Sequence, residues 1–171
     1  MLSHWCLEKA IRVFAVGLAC TVSAAASATP ISAGPARRQA IVANAEDATA
    51  IKHALQLLPR RPETVAIIDP DGATPEGRKI LATADAFITE GGRIVYINRG
   101  SEVLEGARRG SSIHLHMLAG IIWHEMAHMA GADEKEAQRR EEGLWKRFLM
   151  DNRVDRVVAL RYLKAMNDRR H

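Results

Sequence analysis

Residues 111–131 read Ser111-Ser112-Ile113-His114-Leu115-His116-Met117-Leu118-Ala119-Gly120-Ile121-Ile122-Trp123-His124-Glu125-Met126-Ala127-His128-Met129-Ala130-Gly131. Ser111-Ser112 offers an N-cap, and the run from Ile113 to Ala130 holds no Gly or Pro except Gly120. Leu115, Leu118, Ile121 and Ile122 form an apolar stripe at helical spacing, and Gly131 ends the run where a C′ glycine belongs. The stretch predicts one long helix. Within it, His124-Glu125-Met126-Ala127-His128 is an HExxH motif. Helical residues four apart lie about 40° apart around the axis, so both imidazoles leave one face, one above the other. Two neutral imidazole nitrogens so placed can fill two corners of a tetrahedral zinc site. Glu125, one step round the helix, can reach a water on the metal without being a ligand itself.

Catalytic zinc takes three protein ligands and keeps a position open, so a third should follow. The chain continues Gly131-Ala132-Asp133-Glu134-Lys135-Glu136-Ala137-Gln138. Gly131 can turn the chain back toward the metal, Asp133 is a suitable N-cap, and Glu134 then falls in the first turn of a new helix. Glu136 competes for the role. It lies about 200° further round the same helix, so only one of the two can face the metal. Asp133 is the third candidate.

With these residues in place the chain resembles a zincin metallopeptidase of the gluzincin branch, in which a glutamate on a helix after HExxH is the third ligand. Glu134-Lys135-Glu136-Ala137-Gln138 is similar to the E-x-x-A-D signature of the membrane-associated HtpX-like peptidases and their small soluble relatives. The first Glu of that signature falls on Glu134. Two departures stand out. Gln138 occupies the usual Asp position, so one partner that supports the site is altered. The interval from His128 is also shorter than in those peptidases and equals the metzincin HExxHxxGxx-ligand spacing, with Glu134 in the ligand's place. The resemblance covers about residues 112–142. It implies an α+β, zincin-like fold: a small mixed sheet, an active-site helix, a ligand-bearing helix and a C-terminal helix. It also implies one Zn2+ per chain, held by His124, His128 and Glu134, with Glu125 as general base in peptide-bond hydrolysis. The expected partner is a peptide or protein substrate. A zinc-stabilised binding or regulatory module that cleaves nothing is the alternative.

The N-terminus carries a different message. Lys9 and Arg12 form a positive n-region, Val13 to Val22 an apolar h-region, and Ala26-Ser27-Ala28 a cleavage site before Thr29-Pro30. Residues 1–28 therefore read as a signal peptide, and a periplasmic or secreted location is expected. The apolar stretch is short for a membrane span, which needs about 20 residues; retention as a signal anchor is the alternative. Cys6 and Cys20 both lie within the signal, so the mature chain carries no thiol and no disulfide. Cysteine-protease chemistry and a disulfide scaffold are excluded. Cleavage removes Glu8, Lys9 and Arg12 and leaves 143 residues with 22 basic and 19 acidic side chains, enough for one domain with a normal core.

Residues 29–43, with Pro30, Gly34 and Pro35, read as a linker, and 44–171 as the domain. Asn44 to Leu58 predicts a helix with Ala48, Ile51, Leu55 and Leu58 on its apolar side. Val65 to Ile68 predicts a strand before the Asp69-Pro70-Asp71-Gly72 turn, and Thr74-Pro75-Glu76 opens a helix to about Ala84. Phe87 to Thr89, Gly91-Gly92 and Arg93 to Asn98 suggest a hairpin, and Ser101 to Arg109 a short helix. The active-site helix follows, then a helix from Asp133 to about Met150 and another from Val154 to about Met166. By the zincin resemblance, Ile94-Val95-Tyr96-Ile97 would be an edge strand that pairs with extended substrate; an ordinary core strand is the alternative.

Other residues are assigned by position. His114 and His116 lie too far along the helix from His124 to join one metal, and read as partly exposed or core histidines. Trp123 and Trp145 should pack helices together. The C-terminal stretch alternates Arg153, Arg156, Arg161, Lys164, Arg169 and Arg170 with Val154, Val157, Val158 and Leu163, an amphipathic helix with a solvated cationic face. No nucleic-acid motif accompanies the charges, and no nucleic-acid partner is expected. Tyr96, Tyr162, Arg161 and Arg156 are the candidates for stabilising a developing oxyanion.

Overall fold

The computed structural model describes residues 44–89 and 91–168; the signal peptide and linker assigned to 1–43 lie outside them. Six α-helices and a three-stranded sheet make an α+β fold among the described residues. Asn44 accepts the Asp47 amide at 2.7 Å and starts α1 (Ala45–Gln56). Ala48 is exposed, a correction to the apolar side expected of this helix. Ile51, Leu55 and Leu58 pack on the core as expected, and Asp47, Ala50 and Ala54 complete that face in place of Ala48. An ion pair causes the difference. Buried Asp47 meets Arg108 Nε at 2.5 Å and Arg99 Nη2 at 3.3 Å, and an unpaired carboxylate could not be buried there.

Strand β1 (Thr64–Ile68) leads through a 3-10 turn at Pro70–Gly72 to α2 (Pro75–Leu81), capped by Thr74. That helix ends before Ala84 because Asn98 Nδ2 donates to the carbonyls of Leu81 at 2.7 Å and Ala84 at 3.0 Å, which closes its C-terminal turn. Strands β2 (Ala86–Phe87) and β3 (Ile94–Asn98) are antiparallel, in register Ala86↔Ile97 and Phe87↔Tyr96, as a hairpin requires. β1 pairs parallel with β3, so the order is β1-β3-β2 and the sheet is mixed.

This order corrects the edge-strand expectation. β3 is the central strand: β1 lies along its whole length, β2 covers its second half, and Val95 and Ile97 are 0% exposed. Its backbone is therefore paired with β1 throughout and with β2 along its second half, and only the Ile94–Val95 portion keeps one side without a strand partner.

Ser101 caps α3 (Glu102–Arg108) through the Val103 and Leu104 amides. Then come α4 (Ser112–Met129), α5 (Glu134–Met150) and α6 (Arg156–Asp168). α6 starts at Arg156 and not Val154, because Asp155 Oδ1 accepts the Val157 and Val158 amides at 2.9 and 3.0 Å. α4 is the axis of the molecule. It packs on α1, α3, α5 and the sheet, and its residues Met117 to Ile122 are buried without a break. Such a helix is apolar on nearly all sides, which is why its central turns read as a continuous run. Among the described residues no helix is long and apolar enough to cross a membrane.

Candidate metal centre

The site is built at the C-terminal end of α4, and the turn after that helix completes it. Gly131 adopts φ +83°, a left-handed conformation that glycine tolerates without steric cost. Its amide donates to His128 O at 2.9 Å and the Ala132 amide to Ala127 O at 3.0 Å, the paired bonds of a Schellman stop. The turn leaves the Ala132 carbonyl beneath His128, 2.9 Å from Nδ1. Asp133 then accepts the Glu136 amide at 2.7 Å and starts α5, which puts Glu134 at the first helical position, facing back toward α4.

Three side chains converge. His124 Nε2 and His128 Nε2 are 3.1 Å apart, and Glu134 Oε2 lies 3.5 Å from the first and 3.3 Å from the second. A tetrahedron with metal bonds of about 2.0–2.1 Å has edges of about 3.3–3.4 Å, and the three separations bracket that value. Both Nδ1 atoms are engaged, His128 by the Ala132 carbonyl and His124 by Glu141 Oε2 at 3.1 Å. The two Nε2 atoms are thus the ones turned to the common point. Glu134 Oε1 accepts from Gln138 Nε2 at 2.7 Å, while the buried Oε2 has no hydrogen-bond partner. An orphaned carboxylate oxygen facing two imidazole nitrogens is a donor set that fits a divalent cation. His124, His128 and Glu134 together could hold a metal ion, and they form the one such group found among the described residues.

Charge follows from this crowding. Burial works against a proton on His124, but the Glu134 carboxylate 3.5 Å from Nε2 and the hydrogen-bonded Glu141 carboxylate outweigh it and raise its pKa to about 10. Burial also opposes ionisation of Glu134, and there His124, Gln138 and His128 prevail and lower its pKa. Glu125 differs. Only 1% exposed, it is pushed to about 7 chiefly by burial, with Oε1 unpartnered, His124 pulling down and Glu134 and Glu141 pushing up.

The other candidates fall elsewhere. Glu136 points to solvent, where Arg139 and Arg140 hold its carboxylate and lower its pKa. Asp133 is spent as a cap. His114 shares a 2.7 Å hydrogen bond with Ser111 Oγ, so Ser111 offers no side-chain cap to α4. His116 Nδ1 donates to Ser112 O at 2.7 Å and its ring packs edge-on against Phe148. Tyr96 stacks on Phe87 at 5.2 Å, on the sheet face opposite buried Val95 and Ile97. Arg156 and Arg161 are exposed. Tyr162 is buried and donates to Glu141 Oε1 at 2.7 Å. None of these four touches the three-donor point.

Sequence reasoning missed Glu141. The signal was available: Glu134, Gln138 and Glu141 follow an i, i+4, i+7 spacing, and Ala137, Glu141, Leu144 and Phe148 make one helical stripe with an acid among apolar residues. An acid in the buried stripe of a helix needs a partner, and His124 is that partner. Comparison of the chain with protein-family models, with curated proteins and with solved structures returned no match.

Proposed function

We propose that the chain is an exported zinc-dependent endopeptidase with a zincin-like active site. The observation that carries this reading is the three-donor point of His124, His128 and Glu134, with the buried Glu125 carboxylate, its Oε1 unpartnered, on the helix that bears both histidines. Zinc at that point would polarise a peptide carbonyl and lower the pKa of a water beside it. The chain's own residues do the rest. Glu125 takes the proton of the attacking water as its oxygen bonds to the carbonyl carbon, and returns the proton to the amine as the C–N bond breaks. Burial favours the protonated form that must give this proton back, and a cation nearby favours the ionised form that must first accept it. Glu141 and the Ala132 carbonyl keep both imidazoles turned the right way, and Gln138 holds Glu134.

The test is cleavage of a mixed-peptide library by the zinc-loaded protein beside its Glu125→Gln form. Cuts by the parent, absent from a variant that still binds one zinc, are expected, with the rate down at least 10²-fold. Equal rates would reject the mechanism.

A second reading has two observations in its favour. Glu125 is almost wholly enclosed, and none of Tyr96, Tyr162, Arg156 and Arg161 touches the donor point as an oxyanion partner. A non-catalytic, zinc-stabilised module would bind one metal and cut nothing. It requires a closed, four-ligand site, whereas three donors converge among the described residues. A cobalt-substituted absorption spectrum separates the two by the presence of an exchangeable ligand.

A further inference from the structure

A buried chain of contacts runs on from the metal centre through Glu141 to α6. Glu141 is 2% exposed and uses both oxygens: Oε2 meets His124 Nδ1 at 3.1 Å, and Oε1 accepts from Tyr162 Oη at 2.7 Å. Tyr162 belongs to α6 and is held by stacking on Trp145, with ring centroids 4.0 Å apart at 23°. Gly120, one helical turn before His124 on α4, provides the space. A Cβ there would stand 3.2 Å from Glu141 Oε1 and 2.8 Å from Trp145 Nε1, closer than such atoms pack without displacement. Three helices thus meet at one carboxylate, and that carboxylate sets the tautomer and the direction of one of the two imidazoles.

We propose that Tyr162 and Gly120 are positioning residues of the metal centre, so that seating of α6 is a condition for tight metal binding. The inference rests on the metal-centre reading and extends it to the C-terminal helix. A carboxylate with one free oxygen could rotate about its last bond and lose its line to Nδ1; the Tyr162 hydroxyl removes that freedom. A side chain at position 120 would push Glu141 and Trp145 away from α4 and break the same line.

A purely structural role for Tyr162 would alter stability alone, so the measurement is metal affinity. Zinc Kd by competition and the cobalt absorption spectrum would be recorded for the full chain and for Tyr162→Phe, Glu141→Gln, their double variant and Gly120→Ala. Tyr162→Phe keeps the ring stack and is expected to weaken zinc binding roughly tenfold, with a shifted cobalt spectrum. Glu141→Gln should lose up to about a hundredfold, and adding Tyr162→Phe to it should cost nothing more, since the hydroxyl acts through that carboxylate. Gly120→Ala should weaken binding although alanine is the better helix former, and it tests the proposal even if Tyr162→Phe does not fold. Unchanged affinity and spectrum in Tyr162→Phe and Gly120→Ala would overturn the proposal while the metal site stands, as would additive losses in the double variant. A parent chain that binds no zinc would overturn both.

Discussion

Glu134 and Glu136 are the same residue type two positions apart, and their surroundings give them opposite tasks. One sits against two imidazoles with an unpartnered oxygen; the other lies in solvent between two arginines. Glu134→Ala should abolish stoichiometric zinc binding, and Glu136→Ala should leave it intact and barely change stability, since its ion pairs with Arg139 and Arg140 lie in solvent. Metal analysis after dialysis checks both. Asp85 offers a separate test. Burial pushes its pKa from 3.8 to about 6, against the lowering effect of the Ser101 hydroxyl, which donates to Oδ1 at 2.5 Å. A carboxyl whose folded pKa is raised binds its proton more tightly when folded, so its contribution is most favourable at low pH and declines as pH rises from about 4 to 6. The loss is on the order of 2–3 kcal/mol. Asp85→Asn should remove it: urea midpoints of variant and parent should agree near pH 4 and separate in the variant's favour above pH 6.

The elements divide into those whose residues speak for themselves and those placed by distant partners. α4 and the turn after it were legible because the stripe and Gly131 lie within one continuous stretch, and because Asp133 caps α5 locally. The same short range makes a prediction. Asp133→Ala should lower stability by about 1 kcal/mol and weaken zinc binding as well, because the cap holds the turn that presents Glu134. Thermal melts with and without chelator, beside a zinc titration, would reveal it; a lower melting temperature with unchanged affinity would mean that the turn does not depend on its cap. β3 was not legible in this way. Its alternation of buried Val95 and Ile97 with Tyr96 is the same for an edge or a central strand, and its place is decided by β1, some 30 residues earlier. The face of α1 is similar, since nothing near Asp47 in sequence shows that Arg99 and Arg108 come to meet it.

Across the whole molecule, the metal point joins α4 to α5 across a turn only a few residues long, whereas the core extends well beyond it. Leu118, Ile122, Leu144, Trp145 and Phe148 bury the α4–α5 contact, and Val95, Ile97 and Leu104 join α4 to the sheet and α3. None of that apolar surface needs a cation. A metal that closes so short a loop removes little entropy from the unfolded chain, and its stabilising effect is therefore mass action. The protein should in that case differ from small zinc domains that are unfolded without metal. The metal-free chain should keep its far-UV circular dichroism and melt cooperatively. Free zinc at a hundredfold excess over Kd should add about 2.7 kcal/mol, a rise of several degrees in melting temperature for a domain of this size. Chelation should reverse the rise without loss of helix. A chain that loses its helical signal on chelation would place the organising role in the metal, and α4 would then owe its order to His124, His128 and Glu134 more than to the apolar residues that surround it.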